Sequence, residues 1–408
     1  MEKGSLLVIQ SGGPTQSMNA SLVGAITKGR EIYDHIYGAI YGIDGLLKDQ
    51  LVCFDETSEH DLEVIKYTNG SYLGSSKHRL NERFLNNHFN LEPDYCAILN
   101  TVKKYDIRGI VIIGGNYSMD GVEKLSNFFT QINYPCHIIG APKTLDNDLK
   151  ESDHAPGYGS SIKLIASVCE ELNLDNASYD TGRVVIVEVT GGDTGWLTAG
   201  SKLACLNGLG PDLIYLPEQV FIMRNFLDDV KKVMDEKKRC LVFVSEGVRG
   251  PNGAYIERTY SYNYLNDIEG HHQLGGVNTI LAQVVNETFG YHVRPIRFNA
   301  IQRTAAHYVS MVDINEAFDS AAYATEATLN ETNKAVSIKR RVQGEYGVYY
   351  ALTNVKEIVD QTKYFPVEWI KNGNDVSDEF IAYALPLIQG EYKPLMINGL
   401  PELAHLKK

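Results

Sequence analysis

Short apolar runs that stop at glycine or at a polar cluster recur along this chain, and they constrain its fold more than any other feature. The runs are rich in β-branched residues and apolar on both faces, as buried parallel strands are. The clearest are SLLVIQ, IRGIVII, PCHIIGA, RVVIVEV, RCLVFV and VRPIRFNAI. Stretches with helical patterns lie between several of them, namely SMNASLVGAITKGREIYDH, SSIKLIASVCEELNLD and FLDDVKKVMDEKK. This alternation predicts an α/β fold of doubly wound layers with mainly parallel sheets.

The length of the chain predicts more than one compact domain. One core of ordinary size does not accommodate 408 residues, so we expect two domains, or one large α/β domain with additions. The predicted strands also form two clusters, before and after about residue 155. We therefore predict that the stretch DHAPGYGSS, residues 153–161, is the first crossing between the domains.

Charge and residue usage narrow the classes of function. A net charge of −13 argues against a nucleic-acid partner, whereas an anionic small substrate would need a locally basic site. No apolar run is long enough to span a bilayer, so we expect no membrane partner. The six scattered cysteines, without a CxxC pair, are typical of reduced thiols in a cytoplasmic protein. The adjacent His271 and His272 have no acid or cysteine at ligand spacing, and we interpret them as structural or pocket-lining.

Three loops rich in glycine or aspartate follow predicted strands. They are SGGPTQSMNAS (11–21), GGNYSMDG (114–121) and PKTLDNDL (142–149). In doubly wound sheets, ligands bind beyond the carboxyl ends of the strands, which is where these loops begin. Backbone N–H groups at a glycine turn, together with the following helix N-terminus, can bind a phosphate. Each loop alone could be a tight turn, but the three together favour phosphoryl chemistry.

The third loop places four reactive side chains within a few positions: Lys143, Thr144, Asp146 and Asp148. The lysine can neutralise a phosphate, and the threonine can hydrogen-bond a reacting hydroxyl. The two acids flank Asn147, and they could act separately, one as a base toward a substrate hydroxyl and the other as a ligand of Mg²⁺. The alternative is an Asx-turn loop with a surface lysine.

An ordered series of motifs resembles a known family. The motifs run from about residue 5 to at least residue 325, and they are SGGPTQSMNAS, YGIDGLL, GSYLGSSKHRL, GGNYS, PKTLDNDL, VEVTGGDTGWLTAG, VSEG, HHQLGGV and IQRTAAH. In this order they resemble the phosphofructokinases, and Lys143 resembles the pyrophosphate-dependent branch, because ATP-using members usually have glycine there. The resemblance implies two similar Rossmann-like three-layer domains with mainly parallel sheets facing a central cleft.

The resemblance also implies a reaction, a cofactor and an assembly. The reaction is reversible, Mg²⁺-dependent transfer of a phosphoryl group from pyrophosphate to the 1-hydroxyl of fructose 6-phosphate, giving fructose 1,6-bisphosphate. Residues 1–155 plus about 304–350 would form the donor domain, which binds pyrophosphate and Mg²⁺. Residues 156–303 plus about 351–408 would form the sugar-phosphate domain. The implied protein is a cytoplasmic homo-oligomer, either a dimer or a tetramer.

Position by position, the resemblance assigns catalytic and donor-binding residues. Asp146 corresponds to the base that takes the proton of the 1-hydroxyl, and Thr144 to the residue that touches this hydroxyl. Asp148 corresponds to an acid near Mg²⁺, and Asn116 is a second candidate metal ligand. Lys143 belongs to both the catalytic and the donor-binding set. The full donor-binding set comprises Gly12, Gly13, Lys77, Gly115, Asn116, Tyr117 and Lys143.

The resemblance assigns a second set of residues to the sugar phosphate. Glu246 corresponds to the acid that binds sugar hydroxyls, and Arg303 to a ligand of the 6-phosphate. Arg183 and Arg294 correspond to arginines that reach the 6-phosphate from a neighbouring subunit. The full substrate-binding set comprises Thr144, Asp146, Arg183, Thr190, Glu246, Arg294 and Arg303.

Several positions depart from the family pattern near the donor and sugar contacts. Tyr117 stands where ATP users have glycine and pyrophosphate users commonly have aspartate, and its ring should fill the room that a nucleoside needs. Thr190 and Gly192 replace the Met and Arg of a Met-Gly-Arg triplet, and Ala300 replaces a His or Tyr. Two alternatives therefore stay open: a catalytically weak or regulatory paralogue that binds sugar phosphates, and an ATP-dependent phosphofructokinase. A dinucleotide-binding oxidoreductase is disfavoured, because no GxGxxG follows the first strand.

Overall fold

The computed structural model describes residues 3–85, 90–260 and 274–406, so His271 and His272 lie outside the described residues. In chain order, the strands are β1 (Ser5–Gln10), β2 (His35–Ala39), β3 (Leu51–Cys53), β4 (Ile107–Gly114), β5 (His137–Pro142), β6 (Val184–Val189), β7 (Leu213–Tyr215), β8 (Cys240–Ser245), β9 (Val293–Arg297), β10 (Lys334–Arg340), β11 (Val348–Asn354), β12 (Ile370–Lys371), β13 (Asp375–Val376), β14 (Met396–Ile397) and β15 (Leu400–Pro401).

The α-helices, again in chain order, are α1 (Met18–Ile32), α2 (Gly42–Leu47), α3 (Glu59–Tyr67), α4 (Pro93–Lys104), α5 (Asn116–Gln131), α6 (Tyr158–Ala177), α7 (Trp196–Ala199), α8 (Met223–Lys237), α9 (Ile256–Tyr260), α10 (Val277–Phe289), α11 (Met311–Ala327) and α12 (Asp378–Ala384). Short 3₁₀ helices lie at Gly200–Asn207, Asn299–Arg303, Ala306–Tyr308, Val355–Glu357, Val367–Trp369 and Leu385–Ile388.

The chain divides into two compact units. Unit 1 comprises Met1–Ser160, Arg303–Thr362 and Gly390–Lys408, and unit 2 comprises Ser161–Gln302 and Lys363–Gln389. The division differs from the predicted one after about residue 350. The whole of β11 pairs with β10 in the sheet of unit 1, and near the C-terminus the Ala404 N–H donates to the Thr68 hydroxyl of the same unit.

Unit 1 is built on a seven-stranded sheet with the order β11-β10-β5-β4-β1-β2-β3. Its five inner strands are parallel, and an antiparallel strand closes each edge. Alternate side chains of β1 point to opposite faces, as the strand period of two requires. Leu7 and Ile9 join the core with α4 and α5, whereas Leu6 and Val8 join the core with α1 and α11. The unit therefore has the predicted three layers.

Unit 2 is built on a four-stranded parallel sheet with the order β7-β8-β6-β9. Val184 and Ile186 of β6 pack in a core with α8 and α10. The alternate side chains, Val185 and Val187, are also buried. A strand buried on both faces explains why β6 is a nearly continuous apolar run in the sequence.

The predicted elements are largely confirmed. All six apolar runs contain strands, although β9 ends at Arg297 and a 3₁₀ helix replaces the rest of that run. The three predicted helices are α1, α6 and α8. Strands such as β7 and β10 were missed because β7 has only three residues and β10 contains several charged and polar residues. No helix among the described residues is long and apolar enough to cross a membrane, and all six cysteine thiols are free.

Candidate active site

The loop after β1 has the backbone conformation that the predicted phosphate-binding turn requires. Gly12 has a φ of +76°, in the left-handed region that favours glycine. The Ser75 hydroxyl donates to the Gly12 carbonyl oxygen over 2.6 Å, which fixes the neighbouring chain segment against the loop. Directly after the adjacent strand β4, Gly115 is the N-cap residue of α5. Two backbone turns suited to anions therefore follow the carboxyl ends of neighbouring strands.

Lys143 is buried beside the first of these turns. The residue is 3% exposed, and its Nζ donates to the Gly13 carbonyl oxygen over 2.6 Å. A Cβ built on Gly12 would lie 3.5 Å from the same Nζ. Burial lowers the pKa of Lys143 to about 8, although the charges of Asp146 and Asp148 oppose this shift. An anion bound at the glycine turn would stabilise this desolvated ammonium.

Thr144 connects the two acids of the same loop. Its hydroxyl donates to Asp148 Oδ1 over 3.0 Å and accepts the backbone N–H of Asp146 over 3.2 Å. Asn147 between them has a φ of +54°, a left-handed conformation that asparagine tolerates. The Thr144 N–H donates to the Pro156 carbonyl oxygen over 3.1 Å, which anchors the loop. The structure thus places the four predicted residues of this loop at one end of unit 1.

Tyr117 connects the start of α5 to the segment that contains Lys77. Its hydroxyl donates to the Lys77 carbonyl oxygen over 3.1 Å. The Arg79 guanidinium lies over the Tyr117 ring, 4.1 Å from the centroid, and its Nε donates to the Tyr117 hydroxyl. Sequence analysis did not single out Arg79. An adjoining cavity of about 710 Å³ is lined by residues that include Arg79, Asn116, Tyr117, Asp120, Lys124 and Asp360.

Asn116 has a structural contact that the sequence did not indicate. Its Nδ2 donates to the Gln361 carbonyl oxygen over 2.7 Å, and its Oδ1 accepts the Asp360 N–H over 3.1 Å. Both polar atoms of the side chain are therefore engaged by one turn. Asn116 was predicted as a metal ligand, whereas here its side-chain atoms bond to the backbone of this turn. No sequence signal could have revealed it, because the partners are 244 and 245 positions away.

Arg303 lies in unit 1, close to the first glycine turn. A Cβ built on Gly13 would lie 3.2 Å from Arg303 Nη1. The positive charge of Arg303 also contributes to the lowered pKa of Lys143, after the larger effect of burial. Sequence analysis placed Arg303 among the ligands of the sugar 6-phosphate. The structure places its guanidinium beside the glycine turn that Lys143 contacts, and the role toward the 6-phosphate stays a prediction.

In unit 2, Glu246 follows β8 and faces the loop after β6. Its Oε1 accepts the Gly191 N–H over 3.3 Å. Burial raises the pKa of Glu246 to about 7, and this hydrogen bond opposes the rise. Thr190 lies in the same loop, and its N–H donates to Gln302 Oε1 over 3.3 Å. The structure therefore brings the predicted Glu246 and Thr190 to adjacent strand ends.

The other two predicted arginines lie at the opposite end of these strands. Arg183 directly precedes β6, and Arg294 is the second residue of β9. Since β6 has six residues, about 20 Å of strand separates Arg183 from the Glu246 end. Arg183 is buried, where it pairs with the Asp175 carboxylate and donates to Asn176 Oδ1. Arg294 is exposed. Neither arginine lies beside Glu246 in its own chain.

Sequence analysis missed an ion pair at the Glu246 end of the sheet. Glu188 of β6 and Arg297 of β9 are partners in the strand register, and Arg297 Nε lies 2.8 Å from Glu188 Oε1. Arg297 Nη2 lies 3.9 Å from Glu246 Oε2. The available signal was a charged residue inside each of two runs predicted as buried strands, because buried charges are usually paired.

The loop that contains Thr144 has the donor chemistry of a magnesium site. Across the described ranges, no group of three or more His, Cys, Asp or Glu residues could hold a metal ion by itself. Two carboxylates and a hydroxyl are nevertheless oxygen ligands of the kind that Mg²⁺ prefers, and Mg²⁺ commonly combines one or two carboxylates with substrate phosphates. Asp148, whose carboxylate accepts a hydrogen bond from Thr144, therefore fits an ion that is shared with a bound phosphate.

Comparison with known proteins identifies the family. The family model described as phosphofructokinase matches residues 5–296. A curated relative from Rhodospirillum rubrum, named pyrophosphate–fructose 6-phosphate 1-phosphotransferase, is 34% identical, and the match covers 100% of this chain and 98% of the relative. A relative of the same name from Xanthomonas campestris pv. campestris is 33% identical, with coverages of 100% and 97%. The chain belongs to the phosphofructokinase family.

The solved structures agree with this assignment. The crystal structure of a pyrophosphate-dependent phosphofructokinase from Nitrosospira multiformis superposes with a TM-score of 0.88 at 29% identity, and the match covers 99% of this chain and 97% of that one. This similarity confirms the predicted fold class, an α/β protein with two Rossmann-like domains and mainly parallel sheets.

Proposed function

We propose that this protein reversibly transfers a phosphoryl group from pyrophosphate to the 1-hydroxyl of fructose 6-phosphate. The main supporting observation is that, in unit 1, the buried Lys143 contacts the first glycine turn and belongs to the same loop as the bonded Thr144 and Asp148. The relatives named for this reaction support the same donor and acceptor.

The residues of unit 1 suit a reaction that depends on positioning and charge neutralisation. The amides around Gly12 bind the donor phosphate, and Lys143 and Arg303 neutralise it. Asp146 takes the proton of the 1-hydroxyl while Thr144 orients that hydroxyl. The sugar oxygen forms a bond to the phosphorus, the bond to the bridging oxygen of pyrophosphate breaks, and phosphate leaves. In the reverse direction, Asp146 returns the proton.

Phosphofructokinases generally use a divalent metal ion, and here we propose Mg²⁺. Asp148 would hold the ion together with donor phosphate oxygens, because Mg²⁺ favours carboxylates and phosphates. The bound ion supplies positive charge beside the phosphates. The hydrogen bond from Thr144 orients the Asp148 carboxylate. We leave Asn116 out of the metal set, since its side-chain atoms serve the turn at residues 360–361.

The sugar phosphate would bind at the strand ends of unit 2, where Glu246 accepts hydrogen bonds from sugar hydroxyls. Arg294 lies too far along β9 to reach a 6-phosphate bound beside Glu246 in the same chain, so its predicted role requires a second subunit. We therefore propose a homo-oligomer, either a dimer or a tetramer. Before Arg183 could bind the 6-phosphate of a neighbouring subunit, its ion pair with Asp175 would have to break. Six free thiols favour a cytoplasmic location.

A direct assay tests this proposal. The protein is incubated with fructose 6-phosphate and Mg²⁺, with pyrophosphate or ATP as the donor, and fructose 1,6-bisphosphate is measured. We expect turnover with pyrophosphate alone. Turnover with ATP alone would contradict the proposed donor. No turnover with either, together with a thermal shift on adding fructose 6-phosphate, would favour the regulatory alternative.

A further inference from the structure

Arg297 ends β9 at the point where the candidate sugar-binding residues of unit 2 lie. Its strand partner Glu188 is 1% exposed. The Glu188 carboxylate accepts the N–H groups of Gly276, over 2.9 Å, and of Asn278, over 3.0 Å, so it caps the N-terminus of α10. The Arg297 guanidinium therefore binds a carboxylate that is itself fixed in position.

A second contact sets the direction of the guanidinium. Arg297 Nη2 donates to the Leu274 carbonyl oxygen over 2.8 Å, while Nε lies 2.8 Å from Glu188 Oε1. Nη2 also lies 3.9 Å from Glu246 Oε2. The Arg297 side chain is still 38% exposed, so the guanidinium is held rigidly but remains within reach of a ligand.

Position 192 lies beside Leu274, the residue whose backbone carbonyl oxygen accepts a hydrogen bond from Arg297. A Cβ built on Gly192 would lie 2.6 Å from Leu274 Cδ1, and Leu274 is the residue whose carbonyl oxygen binds Arg297. A Cβ built on Gly247 would lie 1.9 Å from the Gly192 carbonyl oxygen, so the two loops pack closely. Arg297 and position 192 thus flank the same residue, Leu274.

The local charge favours a cation at this site. Glu188 and Glu257 both raise the pKa of Glu246, in addition to the larger effect of burial, and Arg297 opposes them. Without a positive charge, these three acids would repel an anionic ligand in a chain whose net charge is already −13. A cation beside Glu246 would offset this repulsion, and Arg297 Nη2 lies 3.9 Å from Glu246 Oε2.

We propose that Arg297 is a substrate-binding residue of the sugar-phosphate site, and that it supplies beside Glu246 the cation that is absent at Gly192. This inference rests on the proposed function and adds a specificity-determining residue to it. In the alternative, Arg297 only neutralises the buried Glu188 and has no contact with a ligand.

The first test compares Arg297→Met with the wild-type protein. Methionine keeps the length of the side chain and removes its charge. We expect the KM for fructose 6-phosphate to rise about 10- to 100-fold, as for the loss of a charge-assisted hydrogen bond, while the KM for pyrophosphate stays unchanged. The matched control is Arg224→Met, an exposed arginine of α8. A lower melting temperature with an unchanged KM for the sugar phosphate would overturn the proposal.

The second test is the double variant Arg297→Met/Gly192→Arg. A cation returned at position 192 should recover about tenfold of the lost affinity for fructose 6-phosphate, since the lost charge is replaced beside Leu274. If Arg297 only neutralised Glu188, an arginine at position 192 would not restore the KM. Equal KM values for the single and double variants would overturn the proposal.

The proposed function and this inference fail in different ways. If the wild-type protein showed no turnover with pyrophosphate or ATP, the proposed function would be contradicted, but the binding role of Arg297 would not. The same variants would then be compared by the thermal shift that fructose 6-phosphate produces. A smaller shift for Arg297→Met than for Arg224→Met would still support Arg297 as a binding residue, and equal shifts would overturn this role.

Discussion

The two units assemble their candidate groups in different ways. In unit 1 most of the groups come from one loop, residues 142–149, where the Thr144 hydroxyl ties the two acids together. In unit 2 the groups come from three strands that are distant in sequence, with Glu188 on β6, Glu246 after β8 and Arg297 on β9. Chain connectivity positions the first set, whereas the register of the sheet positions the second.

The two sites also differ in the sign of the buried charge. Burial lowers the pKa of Lys143 to about 8 and raises the pKa of Glu246 to about 7. Both shifts favour the neutral form, since a buried charge loses its hydration. A phosphate would stabilise the charged form of Lys143, and the hydroxyls of a sugar would stabilise the carboxylate of Glu246. The buried groups of unit 1 therefore suit a phosphate, and those of unit 2 suit a sugar.

The largest effect is expected from Asp146→Asn. The amide has nearly the same shape as the carboxylate but cannot accept the proton of the 1-hydroxyl. We expect kcat to fall about 10²- to 10⁴-fold, the usual range for loss of a general base, with a nearly unchanged KM for fructose 6-phosphate. The measurement is fructose 1,6-bisphosphate formation from pyrophosphate. Asp34→Asn, an exposed aspartate of unit 1, is the control, and near-normal turnover of Asp146→Asn would exclude this base.

Lys143→Met should have the next largest effect, because it removes the buried cation from the glycine turn of unit 1. We expect the KM for pyrophosphate to rise about 10- to 100-fold, as for the loss of a hydrogen bond to a charged group. In the wild type this KM should also rise as the pH exceeds about 8, since Lys143 then loses its proton. Lys150→Met, which removes an exposed lysine from the same segment, is the control. A rise above this pH that persists in Lys143→Met would assign the titration to another group.

Sequence reasoning could group the residues of the first candidate site because they are neighbours in the chain. Lys143 and the acids that follow it lie in one loop at the end of a recognisable strand, so their proximity needs no knowledge of the tertiary structure. The same holds for Gly12, whose turn directly follows β1. Strand ends in a parallel sheet are binding positions by topology, and the sequence shows where such strands end.

Sequence reasoning could not show contacts that depend on pairing between distant segments. A charged residue inside each run indicated that a partner was needed, but the register that places Glu188 beside Arg297 is set by packing of the whole sheet. Arg303 stays a predicted ligand of the sugar 6-phosphate, and the sequence did not show that the chain passes into unit 1 at this residue. Asn116 was predicted as a metal ligand from the resemblance, and its hydrogen bonds to a turn more than 240 positions away had no sequence signal.

A moderate effect is expected from Glu246→Gln, which tests the opposite sign of charge in unit 2. The wild-type carboxyl ionises as the pH rises through about 7, so the KM for fructose 6-phosphate should fall over that range. Glutamine should raise this KM about tenfold and remove the pH dependence, because it does not titrate. Glu287→Gln, on the exposed side of α10, is the control. A wild-type KM that does not change with pH would contradict the role of the Glu246 carboxylate.

The smallest effect is expected from Tyr117→Ala, which concerns donor selection at unit 1 alone. Removing the ring frees the Lys77 carbonyl oxygen and the Arg79 guanidinium from Tyr117 and opens room beside the cavity of about 710 Å³. We expect turnover with ATP to become detectable while turnover with pyrophosphate changes little, because the Lys143 contact with the glycine turn is kept.

Tyr364→Ala, an exposed tyrosine of unit 2, is the control for the loss of a surface ring. If Tyr117→Ala still rejects ATP, the exclusion belongs to Lys143 rather than to the ring, and Lys143→Gly in the same background should then admit ATP. That order of effects would show that a buried charge selects the donor in unit 1, as a buried charge selects the acceptor in unit 2. Admission of ATP by Tyr117→Ala alone would show that the two sites select by different means, the first by shape and the second by charge.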